Sequence, residues 1–235
     1  MTAFSVFMSA EHKWIQLEKS LTSFLSRLFG LNQRGNSNEL EEICLINSNW
    51  WNFLGANNNY EKDLENWNYV APHECCQLFI NQVQNKNSLI LDAGCGTGLV
   101  GKILQSQDYQ NLEGLDFSQE MLDLVPANIY QKIFQADLNQ SLSIPDNYYD
   151  HALCVGTFTY GHVKANAFAE FHRILKNDAI FIFSINEGVY ESYNFGEAIA
   201  KYEKLDKWKV LSNEKKVYIE KKSIDAYYVT VRIEK

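Results

Sequence analysis

Residues 89–98 read Leu-Ile-Leu-Asp-Ala-Gly-Cys-Gly-Thr-Gly, a short apolar run that meets an acid and then glycines on alternate positions. An apolar stretch of that length bounded by glycine predicts a buried strand that turns sharply at its carboxyl end. Glycine lacks a Cβ, so the chain there can take left-handed torsions and approach a ligand closely, while a helix starting near Gly98 points free N–H groups at it. Strand, glycine turn and helix in that order open a βαβ unit, and the turn is a candidate site for part of a nucleotide-like cofactor.

The same rhythm continues along the chain. Strand-length runs at 88–91, 112–115, 132–134, 150–155 and 179–185 alternate with helical spacings at 99–105, 119–124 and 166–175. Such alternation predicts an α/β fold with a mostly parallel sheet and helices on both faces. Cys75, Cys76, Phe79, Ile80 and Val83 form a helical stripe ahead of the turn, with Pro72 suited to its first turn. Past Ile185 the order changes to a helix at 196–205 and two extended segments, 208–220 and 226–233, which a short polar loop should pair antiparallel. Trp14, Leu17, Leu21, Phe24, Leu25 and Leu28 lie at helical spacing, so residues 1–55 read as an N-terminal helical extension and 56–235 as the main domain.

Charge and cysteine usage narrow the function classes. The 235-residue chain carries a formal net charge of -8, which repels phosphate backbones and disfavours a nucleic-acid partner. Its one basic cluster, Lys215, Lys216, Lys221 and Lys222, alternates with Val217 and Ile219 and reads as a solvated strand face. Five cysteines, Cys44, Cys75, Cys76, Cys95 and Cys154, lack metal-ligand or redox spacing, so reduced thiols and no metal are expected. No apolar run approaches the ~18 residues that span a bilayer, and residues 1–10 lack a basic leader; the expectation is a cytoplasmic protein with no membrane partner.

Two acids sharpen the ligand. Asp116 closes the second expected strand, where a carboxylate can accept hydrogen bonds from both ribose hydroxyls. Gly96-Thr97-Gly98-Leu99-Val100-Gly101 also satisfies the dinucleotide pattern, which keeps a nicotinamide dehydrogenase in view. Asp92 argues the other way, because a carboxylate just before the turn would repel a pyrophosphate and suits a cofactor with a positive end, such as the ammonium or sulfonium of S-adenosylmethionine.

Five segments occur in the order seen in one family: Leu-Asp-Ala-Gly-Cys-Gly-Thr-Gly (91–98), Gly-Leu-Asp-Phe-Ser-Gln-Glu-Met-Leu (114–122), Gln-Ala-Asp-Leu (135–138), Tyr-Tyr-Asp (148–150) and Glu-Phe-His-Arg-Ile-Leu-Lys (170–176). With them the chain resembles the class I S-adenosylmethionine-dependent methyltransferases. Within that class Tyr60, Asp63, Tyr69-Val70-Ala71-Pro72, Val155-Gly156-Thr157 and Ala226-Tyr227-Tyr228-Val229 are similar to the methyltransferase-like proteins of the Williams-Beuren syndrome region. The resemblance covers residues 56–235. It implies a Rossmann-like, mostly parallel seven-stranded sheet with helices on both faces and an antiparallel C-terminal strand pair.

Residue by residue, the resemblance implies that Gly94, Cys95 and Gly96 lie along the methionine part of S-adenosylmethionine, that Gly98 belongs to the same cofactor-binding turn, and that Asp92 helps the ammonium. It implies that Asp116 holds the ribose, Phe117 and Met121 flank the adenine, and Asp137 accepts from the adenine amine with Leu138 nearby. The Val155 carbonyl would face the ammonium, with Tyr60 and Tyr69 covering the pocket. Plainer roles stand beside these: Asp137 can cap a turn, Met121 can belong to the core, and Cys95 can be a small residue in a tight turn. Two segments depart from the family: Trp50-Trp51-Asn52-Phe53 only loosely echoes its opening Tyr-Asp-x-Trp-Ala, and Asn177-Asp178 replaces a Pro-Gly turn.

The implied activity is methyl transfer to a small-molecule acceptor, since no Asn-Pro-Pro-Tyr-like element follows the fourth strand to hold a nucleobase amine. Tyr160, His162, His73 and Tyr69 are candidate bases, and none is singled out as catalytic. The rival expectation is an inactive cofactor-binding protein whose N-terminal helix serves a partner.

Overall fold

Strand β1 (Ile90–Ala93) is buried along its whole length, Asp92 included, as befits a central strand in a parallel sheet. The structure, a computed structural model, describes residues 60–235; the helix expected at 14–28 and the boundary at residue 55 lie outside them. Helices α1 (Tyr60–Trp67) and α2 (Ala71–Gln82) precede β1, and Pro72 stands in the first turn of α2, where its missing N–H costs nothing. After β1 come α3 (Leu99–Ser106), β2 (Leu112–Asp116), α4 (Gln119–Leu122), β3 (Lys132–Gln135) and β4 (Tyr149–Phe158). Then follow α5 (Phe168–Ile174), β5 (Leu175–Asn186), α6 (Glu187–Ser192), α7 (Phe195–Lys204), β6 (Trp208–Ile219) and β7 (Ile224–Ile233).

The strands form one seven-stranded sheet in the order β3-β2-β1-β4-β5-β7-β6. The first five run parallel, and β7 pairs antiparallel with both β5 and β6, as the two extended C-terminal segments predict. Strand order reverses between β1 and β4, so a crevice opens beyond the carboxyl ends of those two strands. Each face of the sheet is covered by an apolar layer. One holds Phe158, Phe168, Phe171, Phe181, Phe183, Phe195 and Trp208, and the other Phe79, Tyr109, Ile90, Leu153 and Ile182.

Three differences from the expected elements have local causes. Asn177-Asp178 is not a loop: β5 starts directly after α5 and absorbs the pair as a bulge, with Asp178 at φ 62°. Strand β4 runs on to Phe158 through a second register shift that spans Gly156 at φ 77°. Helix α6 had no periodic signal because it is one and a half turns long; the Asn186 side chain caps it by accepting from Gly188 N at 2.9 Å.

Candidate functional site

The glycine turn is tied to β2 before any ligand is considered. Gly94 N and Cys95 N both donate to the Leu115 carbonyl, at 2.8 and 2.9 Å, and Gly98 N donates to Cys95 O at 2.8 Å. Gly96 N donates to Asp116 Oδ2 at 2.8 Å, while Asp116 Oδ1 accepts from Ser118 N at 2.9 Å. Burial raises the Asp116 carboxyl above its ordinary value, and the backbone donors of Ser118, Gly96 and Phe117 oppose that rise. One carboxylate thus braces the turn and the start of α4 while presenting its remaining lone pairs to the crevice.

The crevice is a cavity of about 830 Å³. Gly94, Cys95, Gly96, Asp116, Phe117, Met121, Asp137, Leu138, Val155 and Tyr69 all line it. Asp137 Oδ1 accepts from Asn139 N at 2.8 Å, a turn-capping bond that engages one carboxylate oxygen. Met121 is 2% exposed, so it is core and lining together, whereas Phe117 is 56% exposed and stands at the mouth. Tyr69 is pinned by a backbone bridge to Ile219, and its hydroxyl lies 3.4 Å from that of Tyr218. A Cβ on Gly156 would come 2.5 Å from the Tyr69 hydroxyl, so only glycine fits beneath it.

Other expected residues are placed elsewhere. Asp92 does not line the cavity; its side chain is enclosed behind the turn, 2% exposed, with Oδ2 accepting from the Tyr130 hydroxyl at 2.5 Å. The pleat is the reason: Ile90 and Asp92 face the Phe79 layer, Leu91 and Ala93 the opposite one. Gly98 shapes the turn as the left-handed residue before α3, without lining the crevice. Tyr60 opens α1, and its side chain lies outside what the structure describes.

Among the candidate bases, His162 and Tyr69 line the cavity, Tyr160 spends its hydroxyl on Gly188 O at 2.6 Å, and His73 is exposed on α2. Burial lowers His162 to about 4, so its ring is uncharged at neutral pH. Trp67, Pro72, Asn186 and Tyr218 also line the crevice. They come from α1, α2 and the far ends of β5 and β6, and apart from Pro72, which belongs to the Tyr69-Val70-Ala71-Pro72 segment, no local pattern in the sequence singles them out.

These residues fit an adenosine cofactor with a methionine arm. Thr97 lines the cavity, its Oγ1 is buried without a hydrogen-bond partner, and nothing stands within 4 Å of the point where Gly96 would carry a Cβ. An unsatisfied polar atom beside an open backbone approach is what a site for a polar ligand presents. Among the described residues no helix is long and apolar enough to cross a membrane.

Comparison with known proteins agrees with that fit. Residues 91–183 match the family model described as a methyltransferase domain. Methyltransferase-like protein 27 of Homo sapiens is 33% identical over 117 residues, 48% of each chain. The chain spans about half the length of the curated relatives it matches. In fold it is similar to a putative methyltransferase solved in complex with the Trm112 methyltransferase activator of Haloferax volcanii, with a TM-score of 0.59, 15% identity, and coverage of 78% of this chain and 97% of that one. It is likewise similar to an S-adenosylmethionine-dependent methyltransferase of Mesorhizobium loti, with a TM-score of 0.53, 16% identity, and coverage of 66% and 96%. Strand order, glycine turn and the match over residues 91–183 agree on a Rossmann-like fold similar to that of S-adenosylmethionine-dependent methyltransferases.

Proposed function

We propose that this protein transfers the methyl group of S-adenosylmethionine to a small-molecule acceptor. The observation that carries the reading is Asp116, a half-buried carboxylate that holds the glycine turn through Gly96 N and faces the cavity beside it. In this reading Asp116 accepts from the ribose hydroxyls, and Asp137 accepts from the adenine amine through the oxygen that Asn139 leaves unused. Phe117, Met121 and Leu138 cover the base, and the Gly94–Gly96 backbone lies along the methionine arm with the Val155 carbonyl accepting from its ammonium. Tyr69 and Tyr218 close the crevice over Gly156.

When bound, the cofactor supplies an electrophilic methyl on a positively charged sulfur. The protein's contribution is alignment, which by itself supplies much of the rate of an in-line displacement. His162 lines the crevice with its ring uncharged at neutral pH. A small acceptor is favoured by the crevice volume of about 830 Å³, which lies within the size range of small-molecule sites, and by the net charge of -8.

Calorimetry with S-adenosylmethionine and S-adenosylhomocysteine tests the cofactor assignment. Micromolar or tighter binding is expected, weakened about 100-fold by Asp116→Ala, which removes two hydrogen bonds to a charged acceptor. Absence of binding, or displacement by NAD, overturns it. Formation of S-adenosylhomocysteine during a screen of metabolite pools would identify the acceptor and eliminate a purely binding role.

A further inference from the structure

Behind the glycine turn, on the side away from the cavity, lies a buried pair that methyl transfer as described does not use. Tyr130 sits between α4 and β3 and sends its hydroxyl to Asp92 Oδ2, while Asp92 Oδ1 has no hydrogen-bond partner. The Tyr130 ring rests in a seat made by three glycines. A Cβ on Gly101 would come 2.5 Å from the ring's Cζ and Oη, one on Gly114 3.2 Å from its edge, and one on Gly98 3.4 Å. A Cβ at Gly101 could be placed only by displacing the ring and Ile129, whose Cγ2 would lie 2.6 Å away. The last glycine of the dinucleotide-like pattern, Gly101, therefore makes room for the Tyr130 ring and for Ile129, while Gly98 is required by its φ of 88°.

The position of that side chain matters for the site. Asp92 belongs to β1, Gly98 and Gly101 to the start of α3, and Gly114 to β2, two residues before Asp116. A single ring thus touches every element from which the turn hangs. We propose that Tyr130 is a positioning residue for the cofactor turn: seated on Gly98, Gly101 and Gly114 and bonded to Asp92, it sets the spacing of β1, β2 and α3 that cofactor binding requires. The inference rests on the S-adenosylmethionine reading above.

The charge of Asp92 gives the role a signature that plain packing lacks. Burial pushes Asp92 up to about 7; Asp116 adds to the rise, and the Tyr130 hydroxyl and the Gly101 N–H oppose it. Its other titratable neighbours are the buried thiols of Cys75, Cys76, Cys95 and Cys154, whose values are raised by burial, so they stay protonated. An ionised Asp92 attracts a cationic cofactor arm, so affinity rises with pH through the neutral range.

The test is calorimetry with S-adenosylhomocysteine on wild type, Tyr130→Phe, Tyr130→Ala, Gly101→Ala and the Tyr130→Ala/Gly101→Ala pair, each checked for folding by circular dichroism. Tyr130→Phe keeps the ring and loses the donor; it should bind about tenfold more weakly and move the pH midpoint upward, because the carboxylate loses a bond that favours its charged form. Asp92→Asn should flatten the pH dependence. In the pair, Gly101→Ala should cost less than it does alone, since the clash with the ring is gone and only that with Ile129 Cγ2 remains. Should Tyr130→Phe fail to fold, the Gly101→Ala series carries the test. Wild-type binding with an unaltered Tyr130→Phe, or additive losses in the pair, sinks the positioning role alone. No binding by wild type sinks the cofactor reading beneath it.

Discussion

Asp92 and Asp116 are both acids at the ends of central strands, yet they meet opposite surroundings. Asp116 looks into the crevice with backbone donors on each oxygen, and Asp92 looks back into protein with one oxygen bonded and the other bare. The residue types and their spacing were legible in the sequence; the direction of the Asp92 side chain was not, because its partner Tyr130 lies 38 residues away. Proton linkage turns the burial of Asp92 into a pH-dependent stability. The folded value of Asp92, about 7, lies above the ordinary 3.8, so its contribution is fully present below pH 3.8 and is lost as pH rises through about 7. Asp92→Asn removes that loss while keeping an acceptor for Tyr130. Thermal melts should therefore show the variant gaining on wild type as pH rises from 3.8 to about 7 and level thereafter, and parallel curves would refute the burial of an ionisable carboxyl there.

Among the elements, the long periodic ones were legible and the short or bulged ones were not. The helix starting beside Pro72 and the strand pair at the C-terminal edge were readable because apolar periodicity extends over many residues. Helix α6 depends on a single cap, and the β4–β5 bulges depend on how two distant strands meet. In one of them His151 fills the interrupted ladder: its Nδ1 accepts from Ile180 N at 3.0 Å, which requires an uncharged ring. Burial holds His151 at about 4, below the ordinary 6.5, so the stability it contributes is present above pH 6.5 and lost as pH falls through about 4. Proton NMR of the His151 ring should show no titration near 6.5 and a midpoint near 4. A midpoint at the ordinary value would mean that the ring is not bonded to the β5 backbone.

At the scale of the whole molecule, the aromatic layer on one face of the sheet holds the site from below. Phe158 packs edge-to-face on Phe168, Phe183 and Phe195, with centroids 5.5, 5.6 and 5.3 Å away, and follows directly after the Gly156-Thr157 bend of the crevice. Phe158→Ala should cost about 3–5 kcal/mol in chemical denaturation. Because the cavity wall and the core share this strand, cofactor affinity should fall with stability, whereas a truncation on the exposed Lys-rich face of β6 should leave both within error.

The order of strands and helices, the glycine turn and the acid that follows it could be read from the chain, because each is encoded within a few residues by apolar period or by the missing Cβ of glycine. The inward turn of Asp92, the Tyr130 seat and the two phenols above Gly156 could not. They arise where residues far apart in sequence are packed together, and no local pattern carries the distance or the direction of such a contact. The glycine turn is the clearest case. Its sequence admits two cofactors, and only the folded chain shows that Gly101 makes room for Tyr130 and Ile129, residues far from it in sequence.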